Sequence, residues 1–258
     1  MRSVSRRVFM AIALPALIFV LWWIVSADST SFFWPPLQTI LGVFPETWFE
    51  GRFAVDVLPS LVRLLIGFAA AAAFGIALGL AVGTSKALRD YSEPVLEFMR
   101  AIPPPVLIPI IMLFAGIGDT MKIIVIAFGS FWPILLNTVE GVRSIDEVLR
   151  DTARTYRIGR GRRFVHLVLR GASPQIMVGA RQGLSVAVIL MVISEMFAAS
   201  NGIGFTIVRF QRGFALPEMW TGIILLGSIG VALSIGLQVV ERRTLRWYHG
   251  LRQSEKAR

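Results

Sequence analysis

Cysteine is absent from the 258 residues, which excludes a disulfide scaffold, a thiolate metal site and a cysteine nucleophile. Histidine is almost absent. His166 and His249 stand far apart with no metal-ligand spacing, so a metal site of the usual kind has no ligands, and no carboxylate pair stands out within the apolar runs. Charge is scarce as well: Asp, Glu, Lys and Arg make up 16% of the chain, against roughly 25% in soluble domains. Hydrophobic residues make up 55%, too many for a soluble protein without a larger charged shell. The composition indicates an all-α membrane protein and offers no constellation for an enzyme.

What the sequence does contain is uncharged runs long enough to cross hydrocarbon, which takes about 20 residues with a usable range of about 17–25. Residues 8–27 give 20, residues 64–85 and 219–240 give 22 each, residues 101–118 give 18 and residues 123–139 give 17. A sixth run, residues 182–194, has only 13 between Arg181 and Glu195. It is long enough if residues 176–199 form the span and those two charges face protein or water. Six transmembrane helices are therefore expected in a single domain, residues 1–258, with an extracytoplasmic loop at 28–59 and a cytoplasmic loop at 140–175. The first run, preceded by Arg2, Arg6 and Arg7, also has the layout of a secretory signal peptide. Its length exceeds the usual apolar core of about 7–15 residues, and Trp22 and Trp23 suit an interfacial belt, which favours an intact anchor.

With six helices, the N-terminus, residues 86–100, the 140–175 loop and the C-terminus share one side and carry 3, 3, 8 and 6 Lys or Arg. Only Arg52, Arg63, Lys122, Arg209 and Arg212 fall to the other side or its helix ends. Basic loops stay cytoplasmic, so both termini are expected inside (N-in/C-in). The formal charge of +10 is then a matter of topology, and no nucleic-acid partner is implied.

Small residues at four-residue spacing mark helix interfaces in lipid. Gly67, Ala71, Gly75, Gly79 and Gly83 form one such row; Gly179, Gly183 and Ala187 form another. Their partner, another helix of this chain or of a second subunit, is not legible. At Arg100-Ala101-Ile102-Pro103-Pro104-Pro105 the missing N–H groups predict an extended entry, with helix starting near Pro105 and Pro109 in its first turn. Such a segment either lines a pathway or ends before the bilayer.

The 140–175 loop carries an amphipathic pattern, with Ile145, Val148, Leu149, Thr152 and Tyr156 recurring at three and four. Ser144 with Glu147 fits a capping box. Gly159 and Gly161 allow a turn, residues 162–169 suggest a second short helix, and Pro174 is expected to open the fifth span. A helix–turn–helix here is shaped to press against a cytoplasmic partner; a solvated basic loop serving topology is the plainer alternative.

This segment resembles the "EAA" loop of binding-protein-dependent ABC importer permeases: Glu-Ala-Ala, a Gly four residues after the last Ala, then Ile-x-Leu-Pro. The matching positions read Asp151-Thr152-Ala153, Arg157 and Leu167-Val168-Leu169-Arg170. Ala153 and Leu169 match, Asp151 and Leu167 are conservative, and Thr152, Arg157 and Arg170 depart. The flanks are similar to the nitrate, sulfonate and taurine branch: Ser60-Leu61-x-Arg63, Glu93-Pro94, Arg100-Ala101-Ile102-Pro103-Pro104, Phe114-Ala115-Gly116-Ile117-Gly118-Asp119, the string from Phe131 to Thr138, Gly141-Val142-Arg143-Ser144, and the string from Glu195 to Gly204.

The resemblance implies a type I ABC importer permease fold in a bacterial cytoplasmic (inner) membrane, surrounded by membrane lipid. It implies a second permease copy in a homodimer, two separate ATP-binding subunits that hold ATP and Mg, and a periplasmic or lipid-anchored substrate-binding protein. The chain itself carries no Gly-x4-Gly-Lys followed by Ser or Thr, consistent with no cofactor of its own. The ATPase contact falls by position on Arg150, Asp151, Thr152, Ala153, Arg154, Thr155, Tyr156, Arg157, Ile158 and Gly159. Arg157 in place of Gly predicts a matching acidic patch or a rearranged turn on the ATPase. The branch implies a small organic or inorganic anion such as a sulfonate or nitrate as substrate.

Ionisable groups inside a membrane are functional candidates. Glu195 either faces an outer cavity or pairs with Arg63 or Arg209. Asn137 and Ser194 either contact substrate or bond between helices, and snorkelling accounts for Arg181. The competing functions are an uncoupled secondary transporter or channel, for which midpoint charges and internal repeats are wanting, and a regulatory membrane subunit with a degenerate loop.

Overall fold

The computed structural model describes residues 2–197 and 199–248, with side chains from residue 13 onward. His249 and the basic residues Arg252, Lys256 and Arg258 lie outside the described residues. The order is α1 Arg2–Ser26, α2 Leu37–Phe49, a π turn Phe53–Val57 running into α3 Leu58–Thr84, α4 Lys86–Ala101, and a 3-10 turn Pro104–Leu107 leading into α5 Ile108–Ala115. There follow α6 Asp119–Arg143, α7 Glu147–Thr155, α8 Arg160–Arg163, a π turn Phe164–Leu169, α9 Arg170–Phe197, α10 Ile203–Arg212 and α11 Leu216–Thr244.

The glycine rows place the helices. A Cβ added to Gly67 would sit 2.7 Å from Ile126 Cγ2, one on Gly75 3.0 Å from Ile134 Cγ2, one on Gly79 2.6 Å from Thr138 Cβ, and one on Gly83 2.7 Å from Val142 Cβ. Each contact joins α3 to α6 with both residue numbers rising together, so the two helices run parallel. The row's partner is thus α6 of the same chain. The second row faces α6 from the other side and runs antiparallel. Gly183 meets Ile134 Cδ1 at 2.9 Å and Gly179 meets Asn137 Cβ at 2.8 Å, while on α6 Gly141 meets Gln175 Cβ at 2.8 Å. Ile134, fully buried, touches both rows. Leu64, Val125, Ile126, Leu184, Ala187 and Met191 extend this core toward one end.

Four helical stretches among the described residues are long and apolar enough to cross a membrane: Phe53–Thr84, Asp119–Arg143, Arg160–Phe197 and Leu216–Thr244. In α1, residues Ala13–Ser26 are apolar. The expected third span, residues 101–118, is not a straight helix. Pro103 is extended at ψ 122°, α5 begins at Ile108 with Pro109 in its first turn, and α4 and the Pro104–Ala115 segment meet at 83°. The proline run therefore breaks the span where the missing N–H groups predict it. Because α3 and α6 are parallel, the chain must return between them, and this bent pair carries it back.

Three smaller expectations need correction. Asp146, not Ser144, caps α7, accepting from the Val148 amide at 2.8 Å, while the Ser144 hydroxyl donates to Gly141 O. Pro174 lies inside α9, which starts at Arg170 and continues the helix from Arg160; its missing N–H leaves the Arg170 carbonyl to the Ser173 hydroxyl, which donates to it at 2.7 Å. The 28–59 segment is not merely a loop, since α2 packs there on α11, with Trp48 Nε1 donating to Thr221 Oγ1 at 2.8 Å.

The tight contact gives a stability test. Gly79→Ala forces its new carbon onto Thr138 and is expected to destabilise the bundle by about 1–3 kcal/mol. Gly236→Ala on α11, which meets nothing within 4 Å, is expected to be neutral or stabilising by up to about 1 kcal/mol. Equilibrium unfolding of both variants in detergent micelles checks this, and equal effects would remove the packing role assigned to the row.

Candidate functional site

Two features stand apart from the apolar bundle. The first is a buried ion network where α3, α6, α9 and α10 converge. Glu195 is fully buried, and Arg63 and Lys122 are each 2% exposed. Glu195 Oε1 accepts from Arg63 Nη1 at 2.9 Å and lies 2.6 Å from Ser60 Oγ; Oε2 accepts from the Gly204 amide at 3.0 Å. Arg63 also donates from Nε to Asp119 Oδ1 at 2.9 Å and from Nη2 to Asn201 Oδ1 at 2.6 Å. Lys122 Nζ stands 3.7 Å from the same Asp119 oxygen.

The turn before α10 is built around this carboxylate. Three consecutive amides at the start of α10, which have no intrahelical acceptor, are taken by side chains from elsewhere. Gly202 N–H donates to Asp56 Oδ1, Ile203 N–H to Ser60 Oγ and Gly204 N–H to Glu195 Oε2, each at 3.0 Å. Gly202 sits at φ +119°, and a Cβ there would meet the Glu195 carboxylate carbon at 2.4 Å. Only glycine lets the backbone come that close.

This settles the alternatives for Glu195 in favour of its pairing with Arg63. Arg209 instead lies over the rings of Phe205 and Phe210. Ser194, fully buried, donates to Met191 O. Asn137 is half-buried and donates to Pro133 O and Gln182 Oε1. Arg181 does more than snorkel, since it pairs with Glu241 on α11. Asp56, Asn201 and Gly202 were not singled out as site residues. The strings Ser60-x-x-Arg63 and Glu195 to Gly204 contain most of the network, and reading them as contacts, rather than as family flanks, would have found it.

The second feature is the segment from Arg150 to Gly159. Arg150 to Thr155 lie in α7 and Tyr156 to Gly159 form the turn that ends it. The apolar positions of the amphipathic pattern face outward: Val148 is 70%, Leu149 54% and Tyr156 77% exposed. Ala153 faces inward, 6% exposed, where only a small side chain fits. Arg157 stands in the turn that ends α7. It takes the left-handed conformation at φ 51°, with Ile158 N–H donating to Ala153 O at 3.0 Å and Arg157 N–H to Arg154 O at 2.9 Å. This is a Schellman cap with arginine in the position that favours glycine.

Residues 71–246 match the family model described as "Binding-protein-dependent transport system inner membrane component". The chain is 30% identical over 251 residues to the taurine transport system permease protein TauC of Escherichia coli K12, covering 95% of this chain and 91% of that protein. It is 28% identical to a putative aliphatic sulfonates transport permease protein, SsuC, of Bacillus subtilis 168, covering 91% and 86%. It is 29% identical to the nitrate import permease protein NrtB of a Synechocystis strain, covering 84% and 82%. The fold resembles a chain of an inward-facing MetNI methionine ABC transporter, with a TM-score of 0.62 at 18% identity over 73% of this chain and 94% of that one.

Two measurements probe these features. Glu195→Ala takes away the one fully buried carboxylate that Arg63 engages, leaving it Asp119 and Asn201, and is expected to cost about 1–3 kcal/mol. Pairing it with Arg63→Ala should cost clearly less than the sum of the two single changes in a double-mutant cycle. Additive costs would mean the two side chains do not act as a pair. Arg157→Gly removes a left-handed strain of about 1–2 kcal/mol and adds a glycine entropy cost of about 0.5–1 kcal/mol. Hydrogen exchange at the Ile158 amide should therefore slow by about two- to five-fold; faster exchange would mean arginine holds the turn better than glycine.

Proposed function

Because this chain belongs to the family of binding-protein-dependent transport system inner membrane components, we propose that it forms, with a second copy of itself, the membrane pathway of an ABC importer for a small oxyanion of the sulfonate or nitrate type. Taurine, aliphatic sulfonates and nitrate are named for the three relatives above, which share one chemistry, a compact anionic oxygen group. The chain is a multi-pass integral membrane permease subunit. We place it in the cytoplasmic membrane with both termini inside. Six crossings follow if α1 and the bent α4–α5 pair each count as one. The parallel run of α3 and α6 supports that count, since a single return must lie between them, and so does the excess of basic residues on one side.

Force reaches the pathway through α7. The observation that carries this reading is a short helix whose apolar residues Val148, Leu149 and Tyr156 are turned outward, while both ends are tied down, by the Asp146 cap and the Schellman turn. Such an edge suits insertion into a cleft of a separate ATPase subunit, where ATP and Mg are held. Closure of the ATPase pair would then move α6 and α9, which flank α7 in sequence, as rigid bodies. Substrate arrives from an external binding protein. Apolar side chains exposed on α5, Leu113 at 84% and Phe114 at 88%, offer surface for the second copy.

Tyr156→Asp or Leu149→Asp should abolish co-purification of the ATPase subunit, while membrane insertion and thermal stability in detergent stay unchanged, since both side chains are exposed. ATPase association that survives both changes would sink the placement of the contact.

A further inference from the structure

On the inward side of α7, away from Val148 and Tyr156, a cleft opens between the coupling segment and the ends of α3, α6 and α9. Arg150, Arg154 and Arg163 line it, together with Thr84, over an apolar floor that includes Val142 and Leu167. It encloses about 140 Å³, many times the roughly 10–15 Å³ that one water needs. Among the described residues no carboxylate lines it. Asp151 holds Arg154 at 3.2 Å from the helix surface, and Arg150 donates to the Val142 carbonyl. Among the described residues, no hydrogen bond or ion pair engages the half-buried Arg163 guanidinium.

Three guanidinium groups around a cleft that no carboxylate lines, only one of them held by a carboxylate outside it, form an anion site in waiting, because forked N–H donors match the oxygens of a phosphate. The site's position narrows the ligand. Thr84 is the last residue of α3 and Val142 lies in the last turn of α6, the level at which two membrane helices leave the hydrocarbon. An apolar floor beneath a basic rim at that depth suits an amphiphile carrying a phosphate. We propose that this cleft binds the phosphate of an anionic phospholipid headgroup and thereby seats the coupling helix on the membrane surface. The inference needs the membrane spans but not the ATPase contact, so it stands or falls separately from the proposed coupling.

Native mass spectrometry of the full-length chain in detergent, titrated with phosphatidylglycerol, phosphatidylcholine or inorganic phosphate, tests it. Phosphatidylglycerol should be retained in preference to phosphatidylcholine. Arg163→Gln, which breaks no hydrogen bond or ion pair among the described residues, should lower that retention by about tenfold and leave phosphatidylcholine unaffected. Arg154→Gln should lower it as well. Equal retention of the two lipids, or retention indifferent to Arg163→Gln, would overturn the proposal. Binding of inorganic phosphate that depends on Arg163, with no lipid preference, would overturn the lipid as the source. Loss of ATPase association in Arg163→Gln with lipid retention intact would make the cleft a protein contact instead.

Discussion

The structure depends on how closely α6 can approach both of its neighbours. Inside a membrane, apolar side chains gain nothing from leaving water, so helices are held by dispersion and hydrogen bonds at short range. Ile134 shows what this demands. Its Cβ and Cγ2 lie against the backbone of Gly75 while its Cγ1 and Cδ1 lie against that of Gly183. One side chain is thus clasped by two glycine rows, one on a parallel helix and one on an antiparallel helix. A methyl group on either row would push α6 aside. Interdigitation of this kind is stiff, and it gives α3, α6 and α9 the character of one body that can be moved as a unit.

The polar cluster at one end of this body has a different task. Four charged groups (Arg63, Lys122, Asp119 and Glu195) meet where four helices and a turn converge; Arg63, Lys122 and Glu195 are buried and Asp119 stands at the exposed edge. Burying them is costly, and the arrangement survives because each side chain has a partner and the backbone amides of Gly202, Ile203 and Gly204 complete the set. An apolar plug of similar size could hold the helices together as firmly. It would not fix the turn before α10, because only acceptors can engage those three amides. The network specifies one geometry for the turn before α10.

Much of this was legible in the sequence, and the physical reasons differ from part to part. Uncharged runs and basic loops report on hydrocarbon thickness and topology, so the long helices could be placed directly. The glycine rows announced close packing, but not its partner, because a Cβ-free face fits any helix that presents a ridge. The proline run foretold the break before α5, since missing N–H groups act locally. What stayed hidden depends on contacts between distant segments. Asp56 reaching Gly202 spans 146 residues, and Trp48 reaching Thr221 spans 173; no local period encodes either. α2 was missed for a related reason, as a 13-residue helix with a proline at its middle gives a weak signal until α11 covers it. At the coupling segment the apolar pattern was plain, but pattern alone does not say which face is covered.

Arg157 connects these levels. A left-handed residue at the end of α7 is required so that Ile158 can reach back to Ala153, and glycine takes that conformation at little cost. Arginine keeps the hydrogen bonds and pays in backbone strain. Such strain persists only where the surroundings fix the turn independently. Here Ala153 is buried on one side, Asp146 caps the other end, and Arg150 is bonded to the end of α6. The short helix is therefore set at three points against the body built around Ile134. Under the proposed coupling, a push on its exposed edge would pass into α6 and α9 as displacement rather than be absorbed by the turn, whose backbone hydrogen bonds hold its shape.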